Sequence, residues 1–142
     1  MAHNQFAKVF SLAEASELLP TLELLVRDLQ SRVKSLRTRL AELRGDDPPF
    51  EEMALRTIVE RYPELKSVAT QVAESAQKIA SHGCFLKDVD LGLIDFPWAL
   101  DEDNIVFLCW QSGEPEIAAW HTIEGGFGQR RPLPGVAKQY LN

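Results

Sequence analysis

The stretch Leu22–Leu43, LELLVRDLQSRVKSLRTRLAEL, decides the first half of the fold. Leu22, Val26, Leu29, Val33, Leu36, Leu40 and Leu43 alternate steps of four and three residues without a fault. That spacing lines one side of a helix with an apolar seam. Upstream, Ser11 and Glu14 stand at capping-box spacing with Phe10 in the staple position, which marks a helix start. Pro20 lies between cap and seam. Lacking an N–H and clashing with the preceding turn, it predicts a kink, or a helix ending near Leu19 and another beginning at Pro20. Gly45-Asp46-Asp47-Pro48-Pro49 predicts a stop and a tight corner. A second seam follows in Leu55, Ile58, Tyr62, Leu65, Ala69, Val72, Ala76 and Ile79, with Pro63 in its middle predicting a bend or local break. Two such seams joined by a short turn form an antiparallel, coiled-coil-like helical hairpin, about 35–50 Å long at the ~1.5 Å rise of a helix. Zipped together, the two rows make a self-sealed rod rather than a cavity wall. Met53, Val59 and Val68 fall off the seam, facing the rest of the chain or a second subunit.

The composition changes near Gly83. Residues 11–81 carry 12 acidic and 10 basic residues and one glycine, Gly45. Residues 82–142 carry seven of the eight glycines, all three tryptophans and both cysteines. This half reads as short strands. Cys84-Phe85-Leu86-Lys87 and Leu91–Phe96 come first, with Pro97 ending the second or confining it to an edge. Ile105–Trp110 is the strongest strand signal, and Gln111-Ser112-Gly113 turns into a return strand from Glu116 to Thr122. The fold class is α+β: a proline-kinked helical hairpin (10–82), a small antiparallel β-meander (83–133) and a C-terminal tail (134–142), within one domain spanning 1–142.

A net charge of −6 opposes binding to nucleic acid through phosphate neutralisation. No apolar run reaches the roughly 18 residues of a membrane span. The start, Met1-Ala2-His3-Asn4-Gln5, lacks a signal peptide's charged and apolar regions. Two cysteines are too few for a disulfide framework, so a reducing cytoplasm is expected.

Three sets of residues carry a resemblance. Phe10, Glu14-Ala15 and Leu18-Leu19-Pro20 form the first, and Lys87-Asp88 with Gly92–Pro97 the second. The third is Leu108-Cys109-Trp110, Gly113–Ile117, Trp120-His121, Gly125-Gly126-Phe127 and Arg130. Together they resemble a bacterial family known as domain-of-unknown-function family 2203, over roughly Phe10 to Pro132. The resemblance implies a fold and a cytoplasmic bacterial setting; it implies no activity.

Asp95, Cys109, Glu114, Glu116 and His121 form the richest cluster of chemistry-bearing residues. Carboxylate, thiolate and imidazole together suit zinc or iron, yet no HxxxH, HExxH or CxxC spacing occurs. A three-residue loop at 111–113, with Gly113 left-handed, puts Cys109 and His121 on one face with Ile105, Phe107, Ile117 and Ala119. There His121 reads as a core histidine bonded to a carbonyl or carboxylate. A two-residue turn instead sets Cys109 against Glu116 and Trp120. Neither register gathers three ligands without a bulge, so no metal or cofactor is expected. Cys109 paired with His121, oriented by Asp95 or Glu116, would be a nucleophile, but its place in an apolar run argues for a buried small hydrophobe. Glu114 and Glu116 around Pro115 read as hairpin-tip acids, solvated or, if one is desolvated, acid and base. Asp95 alternates with Leu91 and Leu93 and so needs a buried partner; Lys87, Arg130 and Arg131 are the cations nearby in sequence, and Arg130 is the one expected to pair with it. The glycine-rich run from Gly125 to Arg131 would accept an anion through backbone amides and Arg130, with Trp98, Trp110 and Trp120 as pocket walls or core anchors.

The expected function is a non-enzymatic interaction or scaffold protein, a homodimer formed through its helical hairpin and offering a surface to a protein partner. The alternatives are a binder of small anions at Arg130 and the glycine-rich tail, and a metal- or cysteine-dependent enzyme using Asp95, Cys109, Glu116 and His121.

Overall fold

The computed structural model describes residues 6–45 and 54–133. The corner residues Asp46 to Pro49, the off-seam Met53 and the tail 134–142 lie outside the described residues.

The first helix, α1 (Leu12–Arg44), starts at the expected cap. The Glu14 amide donates to Ser11 Oγ at 3.0 Å and the Ser11 amide to Glu14 Oε1 at 2.9 Å, so two donors that a helix start leaves orphaned are satisfied. α1 runs through Pro20 unbroken. The carbonyl that loses its donor belongs to Ser16, and both residues are exposed, which leaves that oxygen open to water. Pro63 behaves differently. Tyr62 takes an extended backbone, φ −129° and ψ 76°, as a following proline ring favours. The second arm therefore divides into α2 (Leu55–Arg61), a 3-10 turn (Pro63–Leu65) and α3 (Lys66–Ala80).

Both seams turn inward. Leu22, Val26, Leu29, Val33, Leu36 and Leu40 are buried with Ile58, Leu65, Val72 and Ile79 in one hydrophobic cluster. Removing each such side chain from water contributes about 1.5–3 kcal/mol. Leu43, at the end of the first seam, stays exposed. Ser75, itself buried, donates to Asp28 across the arms at 2.8 Å.

Five strands follow, β1 (Phe85–Asp88), β2 (Leu93–Ala99), β3 (Ile105–Gln111), β4 (Ala119–His121) and β5 (Arg131–Pro132). They form one antiparallel meander in chain order, so the expected α+β architecture is the one observed. Leu86, Ile94, Phe96, Leu108 and Trp110 occupy its inner face and join the helical cluster. The layers meet closely at Gly92, where φ is +66° and an added Cβ would lie 2.6 Å from Ser112 Cβ and 3.3 Å from Val26 Cγ1. Polar pins reinforce the contact. Arg37 binds Asp90 at 2.7 and 3.2 Å, Gln30 donates to the Val89 carbonyl at 2.9 Å, and Glu23 accepts from Ser112 Oγ at 2.6 Å and the Gly113 amide at 3.1 Å.

Two strand expectations are corrected. β2 is neither an edge strand nor ended by Pro97, which pairs with Phe107 inside it. The Pro97 carbonyl points to the β1 side, where the Phe10 amide donates to it at 2.7 Å. Its ring nitrogen points the same way, into a stretch where β1 has already ended at Phe85. No ladder hydrogen bond is lost, and proline is tolerated. The return strand is also shorter than Glu116–Thr122: β4 holds only Ala119–His121. Pro115 lies inside the longer connection that replaces the tight hairpin. That connection opens with a turn at Gly113, φ +98°, closed by the Glu114 amide donating to the Gln111 carbonyl at 2.9 Å.

Candidate functional site

Alternation along three neighbouring strands sends Asp95 (β2), Cys109 (β3) and His121 (β4) to the sheet face turned away from the helices. Asp95 stands directly opposite Cys109. His121 stands opposite Phe107, one same-face step from the Cys109–Ala119 pair, so Cys109 and His121 are diagonal neighbours. One ligand atom from each residue lies within 4.8 Å of the other two. The sequence reading that no register gathers three ligands without a bulge is therefore corrected. It considered the β3–β4 hairpin alone, and the third ligand comes from β3's other neighbour. Cys109, His121, Phe107 and Ala119 share a face as expected from a left-handed Gly113, but Ile117, expected with them, lies before β4 and joins the helical cluster.

This outer face is covered too. Phe6, Phe85 and Phe107 pack edge to face at 5.7–5.9 Å, and Phe107 meets the His121 ring at 5.6 Å. The segment after β4, with its 3-10 turn Phe127–Gln129, closes the other side. Between them lies a cavity of about 160 Å³ lined by Lys87, Leu93, Asp95, Cys109, His121, Ile123, Gly125, Gly126 and Phe127. Asp95 and His121 are each 3% exposed and Cys109 1%.

His121 is held at both nitrogens. Nδ1 lies 2.7 Å from the Thr122 carbonyl. A carbonyl only accepts, so Nδ1 carries a proton. Nε2 lies 3.0 Å from Asp95 Oδ2, facing a carboxyl group. Two arrangements satisfy that contact: one further proton shared by Nε2 and Oδ2, or a cation in the proton's place. Burial pushes the Asp95 carboxyl above its usual range, against the opposing pull of His121, Lys87 and Cys109. Burial, and next the Asp95 charge, push the Cys109 thiol up to about 12, while Arg130 pulls it down. Burial likewise pushes Cys84 up to about 11. A thiol held there is protonated near neutrality, the wrong state for a nucleophile.

The remaining predicted residues form the periphery. Arg130 donates to Glu114 at 3.0 and 3.2 Å and stacks on Phe127, its guanidinium carbon 4.2 Å from the ring centre. Glu114 also accepts from the Gln111 amide at 2.7 Å. The expected Asp95–Arg130 pair is thus replaced by two, Asp95–His121 and Glu114–Arg130. Arg130 is already neutralised, which weakens its part in binding a free anion. Glu116 is exposed on the connection before β4 and takes no part. Trp98, Trp110 and Trp120 lie on the inner face with the helical core. Sequence reasoning named Lys87 only as one of three cations near Asp95 and missed Leu93, Ile123 and the Thr122 carbonyl as parts of the site. The signal for Lys87 was its two-residue spacing from Phe85, but the bulge that it occupies is invisible without the register.

The family model of the uncharacterized conserved protein DUF2203 matches residues 8–133. The chain belongs to that family. No curated protein and no solved structure matches it. The matched segment contains α1 to α3, all five strands and every residue of the Asp95–Cys109–His121 trio. No helix among the described residues is long and apolar enough to cross a membrane.

Proposed function

We propose that this DUF2203 chain binds a divalent transition-metal ion of the zinc class through Asp95, Cys109 and His121, with one coordination position open to the cavity. The observation that carries it is the convergence of a carboxylate, a thiol and an imidazole within 4.8 Å on a buried face. Oxygen, sulfur and nitrogen donors suit zinc and its neighbours in the transition series. The Thr122 carbonyl fixes the Nδ1–H tautomer, which frees the Nε2 lone pair for a metal, the usual outer-shell arrangement of a metal-bound histidine. A dication also balances one carboxylate and one thiolate, two anions that burial otherwise disfavours. Three protein ligands and an open position fit a site that polarises a bound oxygen rather than a closed structural site. This reading keeps Asp95, Cys109 and His121 of the enzyme alternative and leaves Glu116 out.

Metal content tests it. Untagged protein purified without chelator is expected to hold close to one equivalent of zinc, cobalt or iron, and cobalt loading should give a thiolate-to-cobalt charge-transfer band that Cys109→Ser abolishes. Less than about a tenth of an equivalent after zinc loading, in protein with an unchanged circular dichroism spectrum, sinks the reading.

Self-association is the second reading, favoured by an apolar groove of about 320 Å³ on the outside of α2 and α3, lined by Leu55, Val59, Ala69 and Ala73 among others. Most of both seams is buried within the chain, so a homodimer through the hairpin would use this groove, to which the seam residues Leu55 and Ala69 contribute. A particle of monomer mass at micromolar concentration would end it. The free, buried Cys84 and Cys109 support a reducing, cytoplasmic setting.

A further inference from the structure

We infer that Lys87 makes the open side of this site a receptor for a small carboxylate, one oxygen on the metal and its charge facing the Lys87 ammonium. The inference rests on the metal reading and names what the site takes.

Lys87 is the cation among the residues lining the cavity. It is also the extra residue of a β-bulge, since Leu86 pairs with Ile94 and Asp88 with Leu93, leaving Lys87 without a partner on β2. Bulges re-aim a side chain, and they concentrate beside functional sites. Here the ammonium is carried over the Phe107 ring at 5.1 Å and the Phe85 ring at 5.4 Å. Lys87 is exposed, and the two aromatic faces favour its ammonium at the cavity rim without neutralising it. Among the described residues Lys87 forms no ion pair, unlike Arg130 beside Phe127 of the cavity wall, which binds Glu114 at 3.0 Å.

Charge counting then selects the ligand. A divalent metal with the Asp95 carboxylate and the Cys109 thiolate sums to zero, and neutral His121 adds nothing. Lys87 leaves one positive charge facing the cavity, which a monoanion balances. The remaining walls, Leu93, Ile123 and Phe127, are apolar, so the anion should carry a short hydrocarbon part. The cavity, at about 160 Å³, takes a small molecule. A short aliphatic carboxylate meets all three requirements.

The test uses full-length protein loaded with cobalt(II) and titrated with acetate, butyrate, octanoate and the neutral amide acetamide, read by the visible cobalt bands. Acetate and butyrate are expected to shift the bands saturably, butyrate more tightly, with acetamide and octanoate at least tenfold weaker. Lys87→Met keeps the aliphatic stem over the two rings and should weaken butyrate at least tenfold at unchanged cobalt affinity; Lys87→Arg should restore most of it. Stoichiometric cobalt with no carboxylate response, with equal response to acetate and acetamide, or with Lys87→Met binding butyrate as tightly as the parent, overturns the inference and leaves the metal reading standing. Failure to bind cobalt at all overturns both.

Discussion

Gly92→Ala tests how the sheet that carries the site is seated on α1. At φ +66° an alanine pays the left-handed penalty, about 1–2 kcal/mol. Its Cβ would also lie 2.6 Å from Ser112 Cβ and 3.3 Å from Val26 Cγ1. Ser112 cannot step aside freely, because its amide donates to the Gly92 carbonyl at 2.9 Å and its hydroxyl to Glu23 at 2.6 Å. Overpacking of this kind costs about 1–3 kcal/mol. The total is about 2–5 kcal/mol, a large share of the ~5–15 kcal/mol that keeps a domain folded. Gly113 supplies the control. Its φ is +98°, yet nothing lies within 4 Å of an added Cβ, so Gly113→Ala should lose only the backbone part, about 1–2 kcal/mol. Urea denaturation by circular dichroism measures both, read as midpoint shifts at constant slope. Equal losses from the two substitutions, or a Gly92→Ala loss below ~0.5 kcal/mol, would refute the close approach of β2 to α1.

Glu23→Ala removes an acceptor shared by Ser112 Oγ and the Gly113 amide and should cost about 1–2 kcal/mol in the same assay; no loss would mean that this pin is idle. Arg37 holds the Asp90 carboxyl below its usual range. A depressed carboxyl contributes stability that is present above its unfolded value and lost as pH falls, so Asp90→Asn should flatten the decline in stability below about pH 4 by no more than ~1 kcal/mol, the scale of an exposed pair. The thiols carry the opposite sign. Raised from 9.0 to about 11 and about 12, Cys84 and Cys109 contribute stability that is full below pH 9 and lost as pH climbs toward those values. In metal-free protein at pH 8 both should react with a disulfide reagent at least a hundredfold more slowly than in urea, and rapid labelling of the folded protein would contradict their burial.

The helical half was legible because a seam states its own partner. Leu22 to Leu40 are buried as their spacing requires, and the Ser11–Glu14 cap forms atom for atom. The prolines were not, since a local rule fixes what proline removes and not what surrounds it. Pro20 keeps its helix where the freed Ser16 carbonyl is exposed, and Pro97 keeps its strand where β1 has ended. The site was half legible. Residue types picked out Asp95, Cys109 and His121, and one of the two hairpin registers put Cys109 and His121 on one face. Their convergence depends on β2 lying beside β3 with Asp95 opposite Cys109, a long-range register that no local pattern states. The same blindness assigned Arg130 to Asp95, when a turn at Gly113 brings Glu114 to it instead.

The two faces of the sheet bury side chains on different terms. Ile94, Phe96, Leu108 and Trp110 on the inner face ask only for apolar contact. On the outer face a carboxyl, a thiol and an imidazole occupy space that three aliphatic side chains could fill, and replacing buried ionic groups by well-packed apolar ones is often neutral or stabilising. Without a cation the trio carries a desolvation cost at Asp95, opposed by His121, Lys87 and Cys109, while the Thr122 carbonyl holds His121. A bound dication would offset that cost and add its own linkage, about 2.7 kcal/mol at a hundredfold excess over its dissociation constant. Zinc should thus raise the melting temperature of the parent and leave Cys109→Ser and His121→Ala unmoved. A trio that served only as packing would leave all three proteins indifferent to the metal.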